Sequence, residues 1–113
     1  MEVKDLLKID TIRCITLDVP LNKPVVGLYC SDLLSWVMGH VKEENVALLT
    51  VLNSVNIIAV AVLLDLSAVI FCDGVIPSEE VVAKAKAENI PLFITENSSA
   101  QTVRIIDRYE SFL

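Results

Sequence analysis

The chain has 113 residues, 15 of them acidic against 9 basic, for a formal net charge of −6. With 54% of residues in the set AVILMFWYC and 21% charged, it has the opposite balance to a disordered chain. It reads as one packed domain over residues 1–113, large enough to fold without disulfides or a structural metal. The acidic surface repels phosphate backbones and anionic headgroups, which argues against nucleic acid or a membrane as partner.

The elements follow in chain order. Glu2 to Lys8 reads as a short helix and Ile12 to Thr16 as a short strand, with Val25 to Cys30 a further strand. Ser31 to Met38 reads as a helix with Ser31 or Asp32 as N-cap and Gly39 just past its end. Asn45 to Val51 is an apolar run bounded by polar groups, the pattern of a buried strand. Ser67 to Cys72 and Pro91 to Thr95 share it. Between them, Ser78 to Ala87 carries a serine cap, an acidic first turn and basic later turns, all matched to the helix dipole. Asn89 is a stop signal. Ser98 with Gln101 is a capping box that opens a last helix toward Tyr109.

The segment Val55 to Leu66 is ambiguous, because alternating Ile58, Val60 and Val62 suit a strand as well as a helix. Its length and the possible caps Asn53 and Asn56 favour a helix. The chain then alternates strand and helix, which predicts an α/β three-layer sandwich: a mainly parallel sheet with helices on both faces. From Ile57 to Leu64 the middle segment is apolar all round, yet far shorter than the about 20 residues that span a bilayer. Such a helix has to be covered on every side, which predicts a homodimer that buries Ile57, Val60, Ala61 and Leu64.

Cys14, Cys30 and Cys72 form no paired spacing, and His40 is the only histidine. These read as reduced thiols in a cytoplasmic protein with no metal site and no cofactor. Met1 to Asp5 is charged and opens no apolar stretch, so no signal peptide is expected.

Three segments together resemble the DRTGG domain, a family similar to the N-terminal domain of HPr serine kinase/phosphorylase: Asn53 to Ala61, Ala68 to Gly74 and Ile90 to Thr95. The name-giving Asp-Arg pair falls here on Asn53 and Ser54, and the Thr-Gly-Gly triplet on Cys72, Asp73 and Gly74. The family's Asp-Thr falls on Ser98 and Ser99, and the pattern runs from about Val25 to Asp107. Only Gly74 survives from the two name-giving elements. The resemblance implies an α/β regulatory and subunit-contact module of bacterial proteins, found beside CBS domains in regulatory pyrophosphatases or free-standing. It does not imply kinase activity, because the chain has no Gly-x-x-x-x-Gly-Lys-Ser/Thr loop to cradle phosphates.

Parallel sheets bind ligands outside the carboxyl ends of their strands. That places the candidate ligand-binding residues at Thr50, Asn53, Ser54 and Asn56, at Cys72, Asp73 and Gly74, and at Thr95, Ser98 and Ser99. The rival reading is that these Asn, Ser and Asp residues only cap helices. Ser54 in place of an arginine and Asp73 in place of a glycine weaken the site for a phosphate, since a carboxylate near an anion costs about 1–4 kcal/mol. Catalytic readings are weaker still: His40, Asp32 and Ser31 or Ser35 crowd one short helix, and Asp73 with Glu96 occupies loops. The expected function is a non-catalytic regulatory, ligand-sensing and dimerising domain. The alternative is a subunit that docks on a larger redox or metabolic enzyme with no small ligand.

Overall fold

Short runs of Val, Ile, Leu and Phe set between turn residues become the strands of one sheet. The computed structural model describes residues 1–110; positions 111–113, the last three of the expected domain, lie outside the description. A 3-10 helix (Val3–Lys8) leads into β1 (Arg13–Cys14), followed by β2 (Gly27–Cys30), α1 (Leu34–His40), β3 (Val46–Thr50) and α2 (Asn56–Leu63). Then come β4 (Ala68–Phe71), α3 (Glu79–Ala87), β5 (Leu92–Ile94) and α4 (Ser99–Tyr109). The middle segment is a helix, as its length implies.

The strand order is β1-β5-β4-β3-β2. Strands β2 to β5 are parallel, with Leu48 beside Val69 and Ile70 beside Phe93, while β1 runs antiparallel to β5. Each parallel crossover steps the same way along the sheet. A constant right-handed crossover therefore puts α1, α2 and α3 on one face. Leu48, Val69, Phe71, Leu92 and Ile94 point into that layer, against Val37, Ile57, Ala61, Val81 and Ala85. The opposite face, with Ala47, Leu49, Ala68, Ile70 and Phe93, is covered by the 3-10 helix through Val3 and Leu6 and by α4 through Ile106. Every residue of β3, β4 and β5 is buried, as expected for strands with helices on both sides.

Helix α2 differs from expectation in what it leaves outside. Ile57, Val60 and Ala61 sit in the chain's own core, with Val60 only 6% exposed, and Leu64 is half-buried. Ile57, Val60 and Ala61 are spent on that core, so they offer a second copy almost no surface. The outward side of α2 is Ala59, Val62 and Leu63, the last 65% exposed. Next to it on the same layer, α1 exposes Trp36 and Met38.

The caps are corrected in part. Ser78 accepts the Val81 amide at 3.3 Å, and Ser98 and Gln101 form the expected reciprocal box. Leu33 and Val55 precede α1 and α2 with no side-chain cap, and Gly39 lies within the last turn of α1. The left-handed turns fall on Asn45, Asp65, Asp73 and Asn89, whose short polar side chains tolerate that conformation best after glycine. Among the described residues no helix is long and apolar enough to cross a membrane.

Candidate functional site

The loops after the parallel strands gather at one edge of the sheet, but they do different things there. After β3, the Thr50 hydroxyl donates to Asp32 Oδ1 at 2.9 Å, and the Val51 amide donates to the same oxygen at 2.9 Å. Asn53 Oδ1 accepts the Ser78 amide at 2.9 Å and so ties this loop to the start of α3. Ser54 Oγ accepts the Asn56 amide at 3.2 Å. Four expected ligand residues therefore lie in a closed hydrogen-bond frame. Asp32 belongs to that frame as a clamp on the end of β3.

After β4 and β5 the connections diverge, α3 to one face and α4 to the other, the arrangement that opens a crevice in α/β sheets. The backbones there are stitched together: the Asp73 amide donates to the Asn97 carbonyl at 2.8 Å and the Gly74 amide to the Thr95 carbonyl at 3.0 Å. Thr95 Oγ1 accepts the Asn97 amide at 3.2 Å. The stitching closes the gap between β4 and β5, and the open space moves sideways to β1. Arg13 stands opposite Ile94 in the ladder and so shares its face, the α3 side. Helices α1 to α3 cover the crossovers between β2 and β5, and β1 lies beyond the last of them. The result is a cleft of about 240 Å³ lined by Asp10, Thr11, Arg13, Gly74, Ile76, Ile94, Thr95 and Glu96.

Gly74 is favoured here by its backbone: its φ is +75°, while the one close neighbour of an added Cβ, Glu96 Oε2 at 2.7 Å, is the end of an exposed side chain that can swing aside. The glycine lets the Glu96 carboxylate lie against the chain at the cleft wall. Arg13, Asp10 and Glu96 make no ion pair with one another, whereas Lys4, Lys8, Lys84 and Lys86 each find a carboxylate.

The structure thus brings Gly74 and Thr95 into the cleft and leaves the other predicted ligand residues out of its lining. Cys72 is buried, its thiol facing the Ile70 carbonyl at 3.8 Å; burial dominates and pushes its thiol up, with Ser99 and Thr102 on α4 opposing the shift in part. Cys30, exposed at the end of β2, also has a raised thiol, chiefly from desolvation by the protein on its inner side. Neither has the electropositive surroundings of a reactive cysteine. His40 stacks on Trp36 with ring centroids 3.9 Å apart and donates from Nδ1 to the Trp36 carbonyl at 2.8 Å. Asp32 is turned away to Thr50, so no triad forms. Among the described residues no cluster of His, Cys, Asp and Glu could hold a metal ion.

Sequence reasoning missed Arg13, Asp10 and Thr11. Their place beside β5 depends on an antiparallel two-residue strand whose pairing has no local signature. The signal that was available is Arg13 itself, a lone cation in a strand segment otherwise apolar from Ile12 to Ile15.

Comparison with known proteins agrees with this architecture. The solved CBS and DRTGG domains of the regulatory region of Clostridium perfringens pyrophosphatase, complexed with the activator diadenosine tetraphosphate, match with a TM-score of 0.63 and 19% identity. The match covers 92% of this chain and 45% of that one, so the chain spans less than half of its structural neighbour. At this identity the likeness shows the fold. No curated protein sequence matches the chain. The family described as HPr serine kinase N terminus matches residues 38–109, well over half of the sequence, and the chain belongs to that family, of the DRTGG type.

Proposed function

We propose that this chain is a non-catalytic regulatory domain of a cytoplasmic bacterial system. It senses a small molecule in the cleft between β1 and the ends of β4 and β5, and it self-associates. The observation that carries the reading is the cleft itself: an open space at the diverging strand ends, walled by charged groups that make no ion pairs with one another. Membership of the HPr serine kinase N-terminus family, in a sequence without the kinase phosphate loop, supports it, as does the neighbour's place in a regulatory region solved with a nucleotide activator.

Thermal unfolding against a panel of adenine nucleotides and small metabolites tests the reading. A ligand at 100 times its Kd adds about 2.7 kcal/mol and raises Tm accordingly. Ile76→Trp, at an exposed position on the cleft wall, should abolish the rise without unfolding the protein. Silence across the panel would leave docking as the function. The outward apolar side chains Trp36, Met38, Val62 and Leu63 favour that second reading, a subunit seated on a larger redox or metabolic enzyme, as much as they favour a dimer. Light scattering separates the two. Leu63→Glu should turn a dimer into a monomer, and a wild-type monomer would exclude self-association.

A further inference from the structure

The chemistry of the cleft restricts what it can hold. One guanidinium, Arg13, faces it together with two carboxylates, Asp10 and Glu96. A guanidinium binds a carboxylate best through two parallel hydrogen bonds, a fork that an unpaired arginine can offer to a ligand. Here Arg13 pairs with neither, and among the described residues no other acid takes it. Exposed charges of both signs around one small open cleft are complementary to a ligand that carries both signs.

We infer that the cleft takes a compact zwitterion of the α-amino-acid class. This inference rests on the sensing reading above. The ligand's carboxylate meets the Arg13 fork, and its ammonium lies toward Glu96 and Asp10. A short aliphatic side chain packs against Ile76 and Ile94. Thr95 keeps its hydroxyl proton for the ligand, because its oxygen accepts the Asn97 amide and does not donate there.

Size and charge both disfavour a polyphosphate. The space of about 240 Å³ lies below the roughly 300–1,000 Å³ of pockets that enclose drug-sized ligands. A triphosphate would gain one arginine and face two carboxylates.

The test uses the whole protein and three series of probes. L-leucine, L-valine and L-isoleucine are compared with 4-methylpentanoate and isoamylamine, which each lack one of the two charges, and with ATP and AMP. At least one of the amino acids should raise Tm in a concentration-dependent way. Its single-charge analogues should need at least about tenfold more ligand for the same shift. Arg13→Gln should weaken the amino acid by a similar factor while leaving the unliganded Tm in place, since Arg13 is exposed. Glu96→Gln should act in the same direction.

Binding of the amino acid undiminished in Arg13→Gln would overturn the inference by placing the site elsewhere. A response to ATP or AMP alone would overturn the ligand class and leave the sensing reading standing. Silence from every probe, with the broad metabolite panel also silent, would overturn both.

Discussion

The ends of β3 and β5 carry similar polar residues and use them in opposite ways. At the end of β3, Thr50, Asp32, Asn53 and Ser54 consume their hydrogen-bonding capacity on each other and on the neighbouring backbone. At the end of β5, backbone pairs hold the loop, and Arg13, Glu96 and Asp10 face a cleft without pairing. Polar residues at strand ends therefore indicate a ligand site only where the fold does not already satisfy them. The difference follows from position: β3 is central and flanked by parallel neighbours, whereas β5 borders a short antiparallel strand that no crossover helix covers.

Substitutions should sort along this line. Gly74→Ala gives the largest loss, about 1–3 kcal/mol by denaturant unfolding, because an alanine there is held in the left-handed region. The charge-accepting clamp comes next: Asp32→Ala should cost about 1–2 kcal/mol, since it frees both the Thr50 hydroxyl and the Val51 amide at a partly solvated site. Asn53→Ala and the cap variant Ser98→Ala should each cost about 1 kcal/mol. Arg13→Gln and Glu96→Gln should change stability by less than about 0.5 kcal/mol, as surface substitutions without partners do. Equal losses at Asp32 and Arg13 would erase the distinction between frame and cleft.

The thiols give a smaller, pH-dependent test. Both Cys30 and Cys72 have raised thiols, so their protonated forms persist as pH climbs through the ordinary value of 9.0. Stability contributed by the protonated forms is present below that value and lost as pH rises through the folded one. Near pH 8, a thiol reagent should label Cys30 more slowly than a free thiol and leave Cys72 unlabelled while the protein is folded. Rapid labelling of Cys72 would contradict its burial beneath α4.

Much of the fold was legible because local and global signals agree. The buried strands are apolar runs between turn residues, and Ser78 and Ser98 cap the helices they precede. The alternation of strand and helix implies the crossovers. What escaped was long-range. The two sides of α2 look alike in sequence, since Ile57 and Val62 are equally apolar, and only the packing of the neighbouring layers decides that Ile57 goes in and Val62 stays out. Asp32 reads as a helix cap because its partners, Thr50 and Val51, are 18 and 19 residues away. The candidate site was half legible for the same reason. Gly74 and Thr95 sit where parallel strands end, while Arg13 reaches them through a strand pairing some eighty residues away in sequence.

Backbone amide shifts followed by NMR during titration with the amino acid that most stabilises the protein test the central claim most directly. The perturbed amides should cluster at Thr11, Arg13, Gly74, Thr95 and Glu96, with Val51 to Asn56 unmoved. Perturbation centred on Val51 to Asn56, or none at the cleft on saturation, would contradict it.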